Sequence, residues 1–555
     1  MHSPGAQARS RQVKHGARVV PFAHIRVSVF VRTTGWPDAM SLTPRSACLA
    51  LLALLGSLQL AEAATLIKGG TVVNADTEFA ADVLIEGEIV TAVGAEAAAR
   101  AAALEGVKEV DAKGMYVVPG GIDPHTHLAM PFMGQVAIDD FNTGHRAALA
   151  GGTTMHVDFA LPVDGSLKKG LAEWHTKGSK AVMDFGFHMA VTSWSDEVAA
   201  ELKHLAETEG VNSFKFFLAY KGALMVTDEE LVAGLRQCAA VGALPMVHAE
   251  NGDAVAVGQA EMMAKGVTGP AGHALSRPKI LEAEATGRAL RLAHFADAPL
   301  YVVHVMSDGA AAEVVAAKTR GQRVVGEPVT SGLVLDESMM WHEDFNVAAQ
   351  YVMSPPIRQR AVDGEALRKA LSSGLLDLVA TDHAVFNSKQ KAKGKGDFRI
   401  LPNGVNGIEE RMPVVWGEMV ATGEMSRSRF VEVTSTAAAK IFNVYPKKGA
   451  VRVGSDADIA IIDPTATTTI SAKTHHSAMD TNVYEGRSYP GRVAYTFSRG
   501  RLMWADGKLT DECKPGSGKF VPMAPFAPQF YAGKEGVSER EEQIAGLAKR
   551  YKDEL

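Results

Sequence analysis

Tyr116-Val-Val-Pro-Gly-Gly-Ile-Asp-Pro-His-Thr-His127 reads as an apolar extended run that stops at glycine and proline and then delivers two histidines. Histidines at i and i+2 of an extended segment share one side. Seven more apolar runs follow: Thr153-Thr-Met-His-Val-Asp, Ala181-Val-Met-Asp-Phe-Gly-Phe, Ser213-Phe-Lys-Phe-Phe, Leu244-Pro-Met-Val-His, Leu300-Tyr-Val-Val-His, Arg323-Val-Val-Gly and Leu376-Asp-Leu-Val-Ala-Thr-Asp. Most are separated by Ala/Leu/Glu-rich helical stretches such as 229–241 and 280–296. Strand-then-helix units of this number predict an α/β fold, a TIM-like (β/α)8 barrel in which strand ends converge on one face. On that count His125 and His127 follow strand one, Lys215 sits in strand four, His248 ends strand five, His304 ends strand six and Asp382 follows strand eight.

Imidazole nitrogens with a carboxylate oxygen suit zinc. Four histidines, an aspartate and a lysine exceed what one tetrahedral ion needs, so the set predicts two metal ions. An ordinary lysine ammonium would repel them. Carboxylation by carbon dioxide would turn the Lys215 amine into an anionic carbamate whose two oxygens can bridge both ions.

The wider motif Gly120-Gly-Ile-Asp-Pro-His-Thr-His-Leu-Ala-Met-Pro-Phe-Met-Gly134, with Ser213-Phe-Lys-Phe-Phe-Leu-Ala-Tyr-Lys221 and Ala380-Thr-Asp-His383, resembles the dihydropyrimidinase and hydantoinase family of cyclic amidohydrolases. The resemblance runs from about residue 64 to about 530. It implies that His125, His127, Lys215, His248, His304 and Asp382 hold two Zn2+ ions, bridged by N6-carboxylated Lys215 and a hydroxide. It implies further that Tyr220, Ser354 and Asn403 bind the substrate ring, the last two through their main chain. Ala384 stands where many relatives carry cysteine.

The implied reaction is ring opening of 5,6-dihydrouracil to N-carbamoyl-β-alanine, with 5,6-dihydrothymine as second substrate, giving N-carbamoyl-β-aminoisobutyrate, and hydantoins as further candidates. Metal coordination would activate the hydroxide and polarise the ring carbonyl. Asp382 would take the hydroxide proton and return it to the leaving nitrogen. Tyr220 would stabilise charge on the carbonyl oxygen. The resemblance also implies a homotetramer.

Each residue alone has a plainer reading. A lone His-x-His is commonly a polar pair at a strand end, Lys215 a rim lysine with a buried stem, Tyr220 a packed aromatic with a polar tip, and Ser354 a turn residue before two prolines. Only the constellation favours chemistry. His188, His383 and Glu250 are left outside the ligand set, as neighbours that hydrogen-bond to ligands.

Short alternating strands at Leu66-Ile-Lys-Gly-Gly-Thr-Val-Val-Asn74 and Asp82–Val90 match others near 457–463, 492–497 and 501–507. They predict a composite β-sandwich from 64–118 plus 450–510, beside a catalytic barrel at 119–449. Residues 511–555 are read as a tail with oligomer contacts. A net charge of -6 in 555 residues gives no case for a nucleic-acid surface.

Residues 1–39 are basic and poor in acids, and are read as an upstream extension with Met40 as an alternative start. From Met40 to Ala63 a charged start, an apolar centre and a small-residue end form a secretory signal pattern, too short for a stable membrane span. Lys552-Asp-Glu-Leu555 matches a retention signal of the endoplasmic reticulum lumen, whereas relatives in pyrimidine degradation suggest the cytoplasm. Three cysteines, one inside the leader, do not form a disulfide framework. Three alternatives stand beside the leading reading: an allantoinase or dihydroorotase, a catalytically silent dihydropyrimidinase-related scaffold, and a metal-binding protein without turnover.

Overall fold

A computed structural model describes residues 64–532 and 539–553. The expected upstream extension, the leader and the last two residues of the terminal tetrapeptide lie outside them. Seven parallel strands form the central sheet: β1 (Gly121–Thr126), β2 (Thr153–Ala160), β3 (Asp184–Val191), β4 (Ser213–Phe217), β5 (Leu244–His248), β6 (Leu300–Val302) and β7 (Val324–Gly326), hydrogen-bonded in that order. Helices fill most of the connections, among them Asp228–Ala240, which starts with a capping box. Thr227 Oγ1 accepts from the Glu230 amide at 3.2 Å while Glu230 Oε2 accepts from the Thr227 amide at 2.7 Å.

Two expectations change. Tyr116–Pro119 is not the first barrel strand; it pairs antiparallel with Ile459–Thr469 in the neighbouring sheet, and the barrel begins after the Gly120 break. Tyr116–Pro119 is the more apolar of the two segments, so composition favours it over Gly121–Thr126 as the barrel strand. The eighth run also makes no continuous ladder. Segment 376–383 closes the barrel through isolated bridges, Val329 with Ala380 on one edge and Thr126 with His383 on the other. Its remaining backbone groups go elsewhere: Val379 N–H donates to Val433 O at 3.0 Å, and the buried Arg411 Nη1 donates to Val379 O at 3.1 Å and Thr434 O at 3.0 Å.

Side chains from β1, β2, β5, β6 and β7 pack together in the barrel core, including Ile122, Val157, Phe159, Met246, Tyr301 and Val325. The floor is plugged by Ala437–Ile441, Phe442 and the tail residues Val521, Met523 and Phe530. The tail is held by main-chain bonds from Val521 N–H to Phe185 O at 2.8 Å and from Met523 N–H to Gly210 O at 2.9 Å. Up to Ala532 the tail therefore packs on its own barrel.

The second lobe joins both ends of the described chain. One sheet orders Ile89–Val93, Val83–Glu86, Ala64–Lys68 and Lys108–Asp111; the other runs from Lys508–Leu509 through Arg501–Ala505, Ser488–Ser498, Ile459–Thr469, Tyr116–Pro119 and Thr71–Val73 to Glu78–Ala80. Ile67, Val83 and Ile85 of the first pack with Val117, Ile459 and Phe497 of the second in one core. Among the described residues, no helix is long and apolar enough to cross a membrane.

Candidate metal centre and substrate cavity

The strand ends bring the six predicted ligands together. His125 Nε2 and His127 Nε2 approach the same oxygen, Asp382 Oδ1, at 3.1 and 3.0 Å. Lys215 Nζ lies 3.1 Å from His125 Nε2. Across from them His248 Nδ1 meets His304 Nε2 at 2.8 Å. The Phe159 ring from β2 lies under this group, its centroid 4.2 Å from Lys215 Nζ and 4.7 Å from the His125 ring.

Carboxylates behind the histidines fix their tautomers. Glu327 Oε1 lies 2.7 Å from His125 Nδ1, which places the proton there and leaves Nε2 bare toward the centre. Glu250 Oε2 does the same at 2.8 Å for His248 Nε2, leaving Nδ1 bare. Arg277 Nη1 donates to that Glu250 oxygen at 2.7 Å. Glu327 also accepts from the Tyr301 hydroxyl and, at 3.0 Å, from the His304 amide. Bare nitrogens thus converge on a carboxylate oxygen with too few protons between them, a donor set made for cations.

Burial and Lys215 pull His125 down, but Glu327 and Asp382 outweigh them and hold it above its ordinary value. Burial holds His127 down to about 4, so it stays neutral near pH 7. Burial raises Asp382, but His125 and His127 outweigh it and keep the carboxyl well below its ordinary range. Burial pulls Lys215 down to about 8 against the opposing pull of Asp382 and Glu327. A fraction of its amine is therefore unprotonated, and nucleophilic, near neutrality.

These groups open into a cavity of about 490 Å³ lined by His127, Lys215, Tyr220, His248, His304, Ser354, Asp382 and Asn403. Of the nine predicted residues only His125 sits behind the wall. Tyr220 packs edge-on against Phe132 with centroids 5.6 Å apart, and burial pushes its phenol up to about 12, so it remains a proton donor. Asn403 Nδ2 donates to Ser354 Oγ at 2.9 Å. Tyr220, His304 and Asp382 have φ of 64°, 36° and 52°, conformations costing about 1–3 kcal/mol each that persist where surroundings enforce them.

The neighbours left out of the ligand set have other partners. His188 bonds Ser213 Oγ at 2.5 Å and Pro124 O at 2.9 Å, and His383 bonds Asp139 Oδ2 at 3.0 Å. Glu327, Arg277 and Phe159 were not foreseen. Glu327 directly follows the seventh apolar run, the same strand-end position that singled out His248. A second carboxylate group, Asp184, Asp456 and Asp458, also gathers within 4.8 Å. Lys448 Nζ fills it, bonding Asp184 and Asp458 and lying 2.9 Å from Asp456, so it is an ion cluster tying the barrel floor to the sandwich.

The amidohydrolase family model matches residues 116–503. A dihydropyrimidinase of Arabidopsis thaliana is 54% identical over 476 residues, 86% of this chain and 88% of its own. The crystal structure of dihydropyrimidinase from Brevibacillus agri superposes with a TM-score of 0.81 at 44% identity, covering 84% of this chain and 99% of that one. The chain belongs to the dihydropyrimidinase and D-hydantoinase branch of the amidohydrolases. The branch also includes the human dihydropyrimidinase-related protein 5, 42% identical over 84% of this chain and 82% of its own. The lobe of two chain ends beside a parallel barrel matches the fold of the Brevibacillus agri enzyme, and the likeness to these enzymes together with the metal-ligand cluster marks the chain as a hydrolase.

Proposed function

We propose that the protein is a dihydropyrimidinase, opening 5,6-dihydrouracil to N-carbamoyl-β-alanine and 5,6-dihydrothymine to the β-aminoisobutyrate analogue. The observation carrying this reading is the intact donor set facing Tyr220, Ser354 and Asn403 across one cavity. His125, His127 and Asp382 would hold one zinc ion, His248 and His304 a second, with carboxylated Lys215 shared between them. Bound there, the ions lower the pKa of water and polarise the ring carbonyl.

The chain's own groups do the rest. Unprotonated, neutral Lys215 Nζ adds to carbon dioxide, forming an N–C bond and releasing one N–H proton, which leaves an anionic carbamate compatible with metal. Asp382 takes the proton of the attacking water and delivers it to the ring nitrogen as the C–N bond breaks. The Tyr220 hydroxyl donates to the carbonyl oxygen as charge builds there. Backbone groups of Ser354 and Asn403 orient the ring imide, and the Phe132 side of the cavity excludes water.

The cavity's volume also favours a second reading, hydrolysis of hydantoins that carry a side chain at C5. A silent scaffold is disfavoured because no ligand is missing. The test is turnover of 5,6-dihydrouracil by protein beginning at Ala64, before metal removal, after it, and with zinc and bicarbonate restored. Metal-dependent release of N-carbamoyl-β-alanine supports the assignment. Bound metal without turnover refutes it. A homotetramer is proposed with it, to be read by light scattering.

For location we propose the endoplasmic reticulum lumen, on the leader-like 40–63 and the Lys552–Leu555 tetrapeptide. Loss of intracellular retention when the tetrapeptide is altered supports this; unchanged cytoplasmic fractionation refutes it.

A further inference from the structure

Behind the two loops that carry Ser354 and Asn403 lies a buried amine that the reaction above does not use. Lys391 closes the short helix Ser388–Lys391 and is 2% exposed. Its Nζ donates to Gly404 O at 2.7 Å and to Val352 O at 3.2 Å. Val352 O also accepts from the Gly404 amide at 2.8 Å. The next carbonyl along, Met353 O, is bonded by His273 Nε2 at 2.8 Å. Two side chains thus pin the backbone just before Ser354, and one of them pins the residue just after Asn403.

The clamp has little slack. Gly404 has φ 144°, and a Cβ there would sit 2.0 Å from Ala384 O, so this loop is pressed against the segment that follows Asp382. Among the described residues Lys391 forms no ion pair, and burial alone draws its pKa to about 7. A lysine sunk beneath a binding cavity without a carboxylate is costly to bury. Its two carbonyl acceptors, on separate loops, are what that cost secures.

We propose that Lys391 is a positioning residue for ring recognition: by tying Val352 to Gly404 it sets the spacing of the Ser354 and Asn403 peptide groups that grip the cyclic amide. The inference rests on the ring-hydrolase reading. The two peptide groups form a gauge for the imide edge, so loosening them weakens ring binding before it touches the chemistry at Asp382.

The test compares the metal-loaded wild type with Lys391→Met, which keeps the volume and deletes the donors, and Lys391→Gln, which restores a donor on a shorter arm. Lys391→Met is expected to raise KM for dihydrouracil roughly tenfold with kcat within about threefold, and Lys391→Gln to recover part of the loss. A fall in thermal stability with KM unmoved overturns the proposal. If Lys391→Met does not fold, Lys391→Leu, which also lacks the donors, carries the same KM comparison. Absence of wild-type turnover would instead refute the ring-hydrolase reading. In that case hydrogen exchange still decides the clamp: protection at 351–354 and 402–405 should fall in the variants while β4 and β5 hold theirs, and unchanged loop protection overturns it.

Discussion

His145 Nε2 and His156 Nε2 lie 2.7 Å apart, fully buried, and the surrounding backbone decides which carries the proton. The Val182 and Met183 amides donate to His145 Nδ1 at 3.0 and 3.2 Å, so His145 is protonated at Nε2 and donates to His156. His156 Nδ1 then donates to Thr126 Oγ1 at 2.6 Å, and the Thr126 hydroxyl to Asp158 Oδ2 at 2.8 Å. A one-directional series of hydrogen bonds thus passes through Thr126, the residue between His125 and His127, and ends on Asp158.

Thr126→Val should break that series at its last link. It strands a donor on His156, at about 1–3 kcal/mol for the unsatisfied group, while Asp158 Oδ2 keeps the Leu128 amide at 2.8 Å. Zinc affinity, read by competition with a chelator, is expected to fall about 10–100-fold. Unaltered affinity would show that the two histidines are held by the strand alone.

Tyr220→Phe keeps the ring that packs on Phe132 and removes the hydroxyl. With metal content unchanged, kcat should drop by about 10²–10³. Steady-state kinetics beside metal analysis checks it, and a loss confined to KM would make Tyr220 a simple ring contact.

Lys448→Met leaves Asp184, Asp456 and Asp458 facing one another beneath the barrel. Breaking a buried ionic group from one side costs about 3–5 kcal/mol. Thermal unfolding should therefore begin at lower temperature, and a stability equal to the wild type would mean that Arg499, 2.8 Å from Asp184 Oδ2, compensates alone.

The His476 imidazole accounts for a pH effect far from the metals. Its bond to Glu409 Oε1, 3.0 Å away, raises its pKa above 6.5. A raised folded-state value means stabilisation that is complete below the unfolded pKa and lost as pH climbs through the folded one. The melting-temperature gap between wild type and His476→Gln should be widest below about pH 6.5, worth about 1 kcal/mol, and close above it. A gap that widens toward alkaline pH contradicts the pairing.

How much of this was legible in the sequence depended on distance along the chain. β4 and β5 announce themselves as short apolar runs, and Lys215 and His248 could be placed on them by counting. Tyr116–Pro119 was put in the wrong sheet because Val117 and Val118 suit any buried strand, and only Ile459–Thr469, far downstream, decides which one. Leu376–Asp382 reads as a strand although Arg411 and Val433 take the hydrogen bonds of Val379 and only isolated bridges join it to its neighbours. Glu327 and His125 are 202 positions apart, and no local pattern in either segment marks them as partners. The ligands were found because their residue types are unusual at strand ends; their supports are ordinary residues in ordinary places.

The composite sandwich imposes an order on the birth of the molecule. Tyr116–Pro119 leaves the ribosome with Thr71–Val73 on one side and nothing on the other, because Ile459–Thr469 is made only after the whole barrel. Until then Val117 and Ile67 wait beside an open strand edge of the kind that recruits other chains. A nascent chain halted within the barrel carries that exposed edge with it, so the late strands act as the closing seam of synthesis, and chaperone demand should peak just before they emerge.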